Sequence, residues 1–235
     1  MTLDDGTPSA PKSAFVADPQ STGSQRPFIL SYLGMRQLAG WVGVALPIAV
    51  ALGNWPRTQA LEGSISAYYF TRMVGWFAGS LWVIGFFMAS CRGYDKWDEL
   101  SGRLSGFFAL GVALLPMNIA GVTEGWVYVR GLLHWTCAGL LFIVLALTSL
   151  LLFTRSDRAP TPKKVRRNLC YRVCGWTMLA AIALIGLYNI LERINRPLYD
   201  HIGRCKPVFW LEAIAVISFG VSWLVKGETF EFLRD

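Results

Sequence analysis

Six stretches of this chain are each close to the length that crosses a lipid bilayer as a helix, and they are almost free of charge. They are LAGWVGVALPIAVALGN at 38–54, MVGWFAGSLWVIGFFMASC at 73–91, LSGFFALGVALLPMNIAGV at 104–122, LLHWTCAGLLFIVLALTSLLLF at 132–153, VCGWTMLAAIALIGLYNIL at 173–191 and PVFWLEAIAVISFGVSWLV at 207–225. A spanning helix needs about 20 apolar residues. In hydrocarbon every backbone N–H and C=O must be bonded within its own segment, so such a run is helical. The pattern predicts an all-α, polytopic membrane protein, a bundle of six transmembrane helices. Composition agrees: only 16% of residues are charged, against about a quarter in soluble domains.

Residues 1–28 are rich in Ser, Thr, Pro, Gly and Asp. This tail buries too little apolar surface to fold alone and is expected to be disordered. It lacks the continuous apolar core of a secretory signal peptide. The expected organisation is therefore a tail at 1–28, a transmembrane domain at 29–228 and a short second tail at 229–235. Pro47 and Pro116 interrupt two runs and predict kinks or local irregularity.

The net charge of +7 is not read as a nucleic-acid signal, because Lys and Arg cluster in the segments between the runs. Such clustering sets membrane orientation. The most basic segment is TRSDRAPTPKKVRRNLCYR, which follows the fourth run. It is expected in the cytoplasm, and alternation then puts both termini there and places 55–72, 123–131 and 192–206 outside. Five cysteines show no CxxC or CxxH spacing. Cys170 and Cys174 share a helix face at a spacing poor for a disulfide.

Polar residues inside or beside the runs fall at one depth, beneath the outer face. Glu212 lies near the start of the sixth run and His134 near the start of the fourth. Asn118 follows Pro116, Asn189 closes the fifth run, and GSISAYYFTR at 63–72 supplies Ser66, Tyr68, Tyr69 and Arg72. An ionisable residue at membrane depth is a candidate functional group whose partner must be named; His134 is named first for Glu212, and Arg72 second. A structural role competes, since the helix dipole favours a carboxylate near a helix N-terminus. The chain holds only two histidines, too few to suggest the ligand set of a zinc site. Neither a metal nor another cofactor is expected. Ser64 or Ser66 with His134 is a conceivable nucleophile and base, but no GxSxG elbow accompanies them. Asp95 and Glu99 read as a connector pairing its own charges.

Three blocks, SISAYYFT at 64–71, RGYDKWDELSGRLSGFFALGVALLP at 92–116 and PVFWLEAIAVISFGVSWLVKGE at 207–228, resemble those of a bacterial family of six-helix membrane proteins with no assigned activity. The resemblance covers about residues 30 to 228. It implies a six-helix fold in the bacterial inner membrane, and says nothing of a reaction. The family's first block often reads SISAYYHT; Phe70 stands here in place of that histidine, which argues against a metal or proton relay. A fainter similarity to seven-helix membrane hydrolases fails at their histidine-rich last helix.

Three functions remain open. One is a small transport, channel-like or ligand-binding protein with a polar pocket near the outer leaflet. Another is a membrane enzyme acting on lipid headgroups, with His134 as base and Arg72 or Arg130 as anchor. The third is an accessory or scaffold subunit without chemistry of its own. The expected partners are the lipid bilayer and, through small-residue faces such as Gly75 and Gly79, a second copy or another membrane protein.

Overall fold

The computed structural model describes residues 32–90, 95–118, 123–156, 159 and 161–233. The 1–28 tail, Cys91, residues 92–94 of the second block and the end of the third apolar run lie outside the described residues. Among the described residues every regular element is helical. The helices are α1 (Tyr32–Thr58), α2 (Val74–Ser90), α3 (Lys96–Leu114), α4 (Gly125–Leu147), α5 (Pro162–Ile194), α6 (Arg196–Gly203) and α7 (Pro207–Lys226). A π-helical turn, Thr148–Leu152, prolongs α4.

Local chemistry sets the helix ends. The Asp95 carboxylate accepts from the amides of Trp97 and Asp98 and caps α3, which satisfies donors that a helix start leaves open. Thr161 caps α5 by accepting from Lys164, with Pro162 in the first turn, where a missing N–H costs nothing. Asn195 does the same for α6. The third run differs most from expectation. Its helix starts at Lys96 and stops at Leu114 rather than running to 122. Pro116 supplies the reason, since it disfavours helical backbone at Leu115 and offers no donor.

The six long helices close a ring. Each of α1 to α5 packs on its neighbour in sequence, and α7 fills the gap between α5 and α1. Successive members run antiparallel. One end is basic: Arg36, Lys164 and Lys226 surround Phe153 and Tyr171, with Lys226 Nζ 5.2 Å and the Arg36 guanidinium 5.9 Å from the Phe153 ring centre. Across that end Arg155 pairs with Asp95 at 2.6 Å, the Ser101 and Thr148 hydroxyls meet at 2.7 Å, and Gln37 donates to Gly227 O. The first two contacts hold the start of α3 at this end of the bundle. Phe230 and Leu233 pack on the core here, while Phe232 is exposed, so the C-terminal segment folds back onto the bundle with one of its two phenylalanines outward.

Four helices are long and apolar enough to cross a membrane: Leu33–Thr58, Gly125–Leu152, Pro162–Ile194 and Pro207–Lys226. Helix α2 is equally apolar but only 17 residues long. Helix α3 carries Lys96, Asp98, Glu99 and Arg103 in its first turns. The surface is inverted relative to a soluble protein. Trp41, Leu52, Trp76, Phe86, Phe107, Leu132, Trp176, Leu187 and Ile214 are exposed around the ring, whereas Asn54, Ser105, His134, Ser149 and Ser222 are buried. This is the distribution of an integral membrane protein, whose solvent is hydrocarbon.

Close approach of the helices rests on glycine. A Cβ on Gly220 would lie 2.6 Å from Gly40 O, and one on Gly106 2.7 Å from Gly85 O. Without a hydrophobic force between helix and lipid, such contact carries the packing. Gly75 and Gly79 take no part, because nothing lies within 4 Å of where their Cβ atoms would stand.

Candidate functional site

The connection from α1 to α2 folds down onto the start of α7. Phe209 N–H donates to Gly63 O at 3.1 Å. One turn further along α7, Glu212 Oε2 accepts from the Ile65 amide at 2.6 Å and the Ser66 amide at 3.4 Å. The carboxylate thus holds the first turn of the short 3₁₀ helix Ser66–Phe70. Two further bonds brace this loop. Ser64 Oγ accepts from Ala67 N–H at 3.0 Å, and the buried Asn54 amide donates to Glu62 Oε1 at 3.0 Å. Glu212 Oε1 has no hydrogen-bond partner among the described residues.

His134, on α4, is buried. Its Nδ1 lies 2.5 Å from Leu115 O, the carbonyl freed where α3 stops short of Pro116. A carbonyl can only accept, so Nδ1 carries the proton. In the neutral ring Nε2 then presents a lone pair. This nitrogen is buried and has no hydrogen-bond partner among the described residues.

Both side chains line one cavity of about 150 Å³, enclosed by α4, α5, α7 and the loop. Ser66 and Asn189 join them, and Trp135, Phe142, Ile182 and Ile185 form apolar walls. Gly139 and Gly186 also line it, with open space where their Cβ atoms would stand. A smaller cavity of about 60 Å³ lies on the other side of Glu212 and Ser66, among Leu46, Phe77, Leu81 and Val112. Glu212 therefore borders two largely apolar cavities.

Of the eight residues singled out from sequence, Glu212, His134, Ser66 and Asn189 meet at this cavity. The other four do not line it. Tyr68 is fully buried, with its ring tilted 6.2 Å from Phe209 and its hydroxyl accepting from Glu62 N–H. Tyr69 packs edge-on against Phe70 and Phe77. Arg72 is exposed and makes no bond to Glu212, whose partners are backbone amides. Asn118 lies against Gly131. Arg130 is likewise absent from the cavity wall, with its Nε buried and unbonded. No group of three metal-ligating side chains exists among the described residues. Sequence reasoning missed the backbone groups of Ile65 and Leu115, which set the roles of Glu212 and His134. The only available signals were Pro116, which ends α3, and the polar residues of the loop.

The fold and site define an all-helical integral membrane protein with a largely apolar chamber that Glu212 and His134 line. Comparison with known protein families, curated proteins and solved structures finds no match to this chain.

Proposed function

We propose that the chain is a six-span protein of the bacterial inner membrane, and that the chamber at Glu212 and His134 binds or carries a small ligand. The packing of α2 and α3 on each other and between α1 and α4 in the ring supports six spans. The basic end, with Lys163, Lys164, Arg166 and Arg167 opening α5, supports cytoplasmic termini by the positive-inside rule. The chamber then lies toward the outer leaflet. The resemblance of the three sequence blocks to a bacterial membrane family supports the compartment.

The observation that carries the ligand reading is His134 Nε2. A buried polar atom without a partner costs on the order of 1–3 kcal/mol, and the residue that carries it lines a chamber with room for a small molecule. The test is to purify the protein from its native membrane in mild detergent and identify co-purifying small molecules by mass spectrometry. A molecule retained by the wild type and lost from His134→Asn is expected. Asn keeps a donor for Leu115 O and removes Nε2. The same molecules in both preparations would overturn the reading.

A second reading, an accessory subunit in a larger membrane complex, is favoured by Gly75 and Gly79 beside the exposed Trp76 on α2. Cross-linking in native membranes distinguishes it. A partner captured through α2 supports it, and a lone monomer does not.

A further inference from the structure

We infer that the chamber selects a small protonated amine with an apolar body; this rests on the ligand reading above and names its chemical class. Among the polar groups of the wall, Glu212 keeps Oε1 unbonded after its two backbone contacts, and His134 carries a buried Nε2 lone pair. The Ser66 hydroxyl and the Asn189 amide each accept as well as donate. No Lys or Arg lines either cavity that borders Glu212. A carboxylate withdrawn from water is favoured in its charged form by a counter-charge, and the lining residues supply none. A primary ammonium brings three donors and one positive charge, which matches this set.

The rest of the chamber suits the remainder of such a molecule. Trp135 and Phe142 offer aromatic faces that attract a cation, and Ile182 and Ile185 offer hydrocarbon. A dry cavity of about 150 Å³ accepts a molecule the size of benzene. Gly186 at the rim is exposed on the lipid-facing side of α5, so an amine dissolved in the membrane can enter sideways between α4 and α5. An anion of the same shape meets the Glu212 carboxylate with no Lys or Arg beside it to offset the repulsion, and is disfavoured.

The test is calorimetric titration of the protein in lipid nanodiscs at neutral pH with benzylamine, benzyl alcohol and benzoate, subtracting the heats of empty nanodiscs. Benzylamine is expected to bind at least tenfold more tightly than benzyl alcohol, with no benzoate heat. In Glu212→Gln, which keeps an oxygen for the Ile65 amide, the amine should fall to the affinity of the alcohol. Gly139→Leu fills the open space in the chamber without touching Glu212, and should abolish binding of both. Equal affinity for amine and alcohol in the wild type, or a preference that survives Glu212→Gln, overturns the ligand class while leaving a ligand site. Failure of every probe to bind, or binding unaffected by Gly139→Leu, overturns the ligand site itself.

Discussion

At the scale of single residues, Glu212 combines two tasks that its sequence position alone does not separate. Oε2 anchors the loop through the Ile65 and Ser66 amides, and Oε1 remains for the chamber. Glu212→Ala strands two amides, and bonds to a charged acceptor contribute about 1.5–3 kcal/mol each. A loss of roughly 2–4 kcal/mol is expected, read as a lower melting temperature in detergent. Glu212→Gln retains one acceptor oxygen and should lose less than half as much. If both variants melt together with the wild type, the anchoring role is wrong. The exceptional character of Glu212 and His134 was legible in the sequence, because an ionisable group in an apolar run is conspicuous. Their partners were not. Backbone amides and carbonyls are the same at every position, and only the folded loop and the interrupted α3 bring two amides and one carbonyl to these side chains. Tyr68, Tyr69 and Arg72 show the reverse. Neighbours of Ser66 in sequence, they stay off the chamber wall because Tyr68 packs on Phe209, Tyr69 packs on Phe77, and Arg72 lies beyond the 3₁₀ turn.

At the scale of helices, the ends and the close crossings determine the fold. Asp95 caps α3, and its carboxyl is held below its ordinary value of 3.8, first by the hydrogen bond from the Asp98 amide, with the Arg155 charge also lowering it against some desolvation. A depressed carboxyl stabilises the fold above its unfolded pKa and loses that contribution as pH falls through the folded one. Hydrogen exchange at Trp97 and Asp98 should therefore stay slow relative to intrinsic rates down to about pH 4 and speed up below it. Asp95→Ala should abolish this step. The helix crossings make a paired prediction. Gly220→Ala drives a methyl into the Gly40 carbonyl, and overpacking of this kind costs about 1–3 kcal/mol. Gly79→Ala meets open space and should be neutral or stabilising by up to about 1 kcal/mol. Thermal unfolding of the two variants measures the difference. From sequence the GxxxG at Gly75 and Gly79 suggested a face for a second copy or another membrane protein; within the ring Gly40 meets Gly220, and Gly85 meets Gly106. Spacing marks where a close approach is possible; which face turns inward depends on partners distant in the chain.

At the scale of the whole molecule, the all-helical class follows directly from the apolar runs, while the number of crossings depends on how α2 and α3 sit. Helix α2 is about 25 Å long at 1.5 Å per residue, slightly short of a hydrocarbon core of about 30 Å. Helix α3 enters through charged turns that the apolar run did not include. Helix α3 is tied to the basic end by the Arg155–Asp95 pair and the Ser101–Thr148 contact, both between segments far apart in sequence and invisible to hydropathy. If the ring crosses the bilayer six times with the basic end inside, accessibility must alternate along the chain. Cys205 is exposed between α6 and α7, so a membrane-impermeant maleimide should label it in intact cells, and Cys205→Ser should remove that label. In the Cys205→Ser background, Glu124→Cys should also label from outside. Lys96→Cys and Thr161→Cys should label only after permeabilisation. Labelling of Lys96→Cys in intact cells would mean that α2 and α3 do not cross as a pair, reducing the ring to four spans. The opposite pattern at every site would invert the molecule and move the Glu212 chamber to the cytoplasmic leaflet, where an amine would have to arrive from inside the cell.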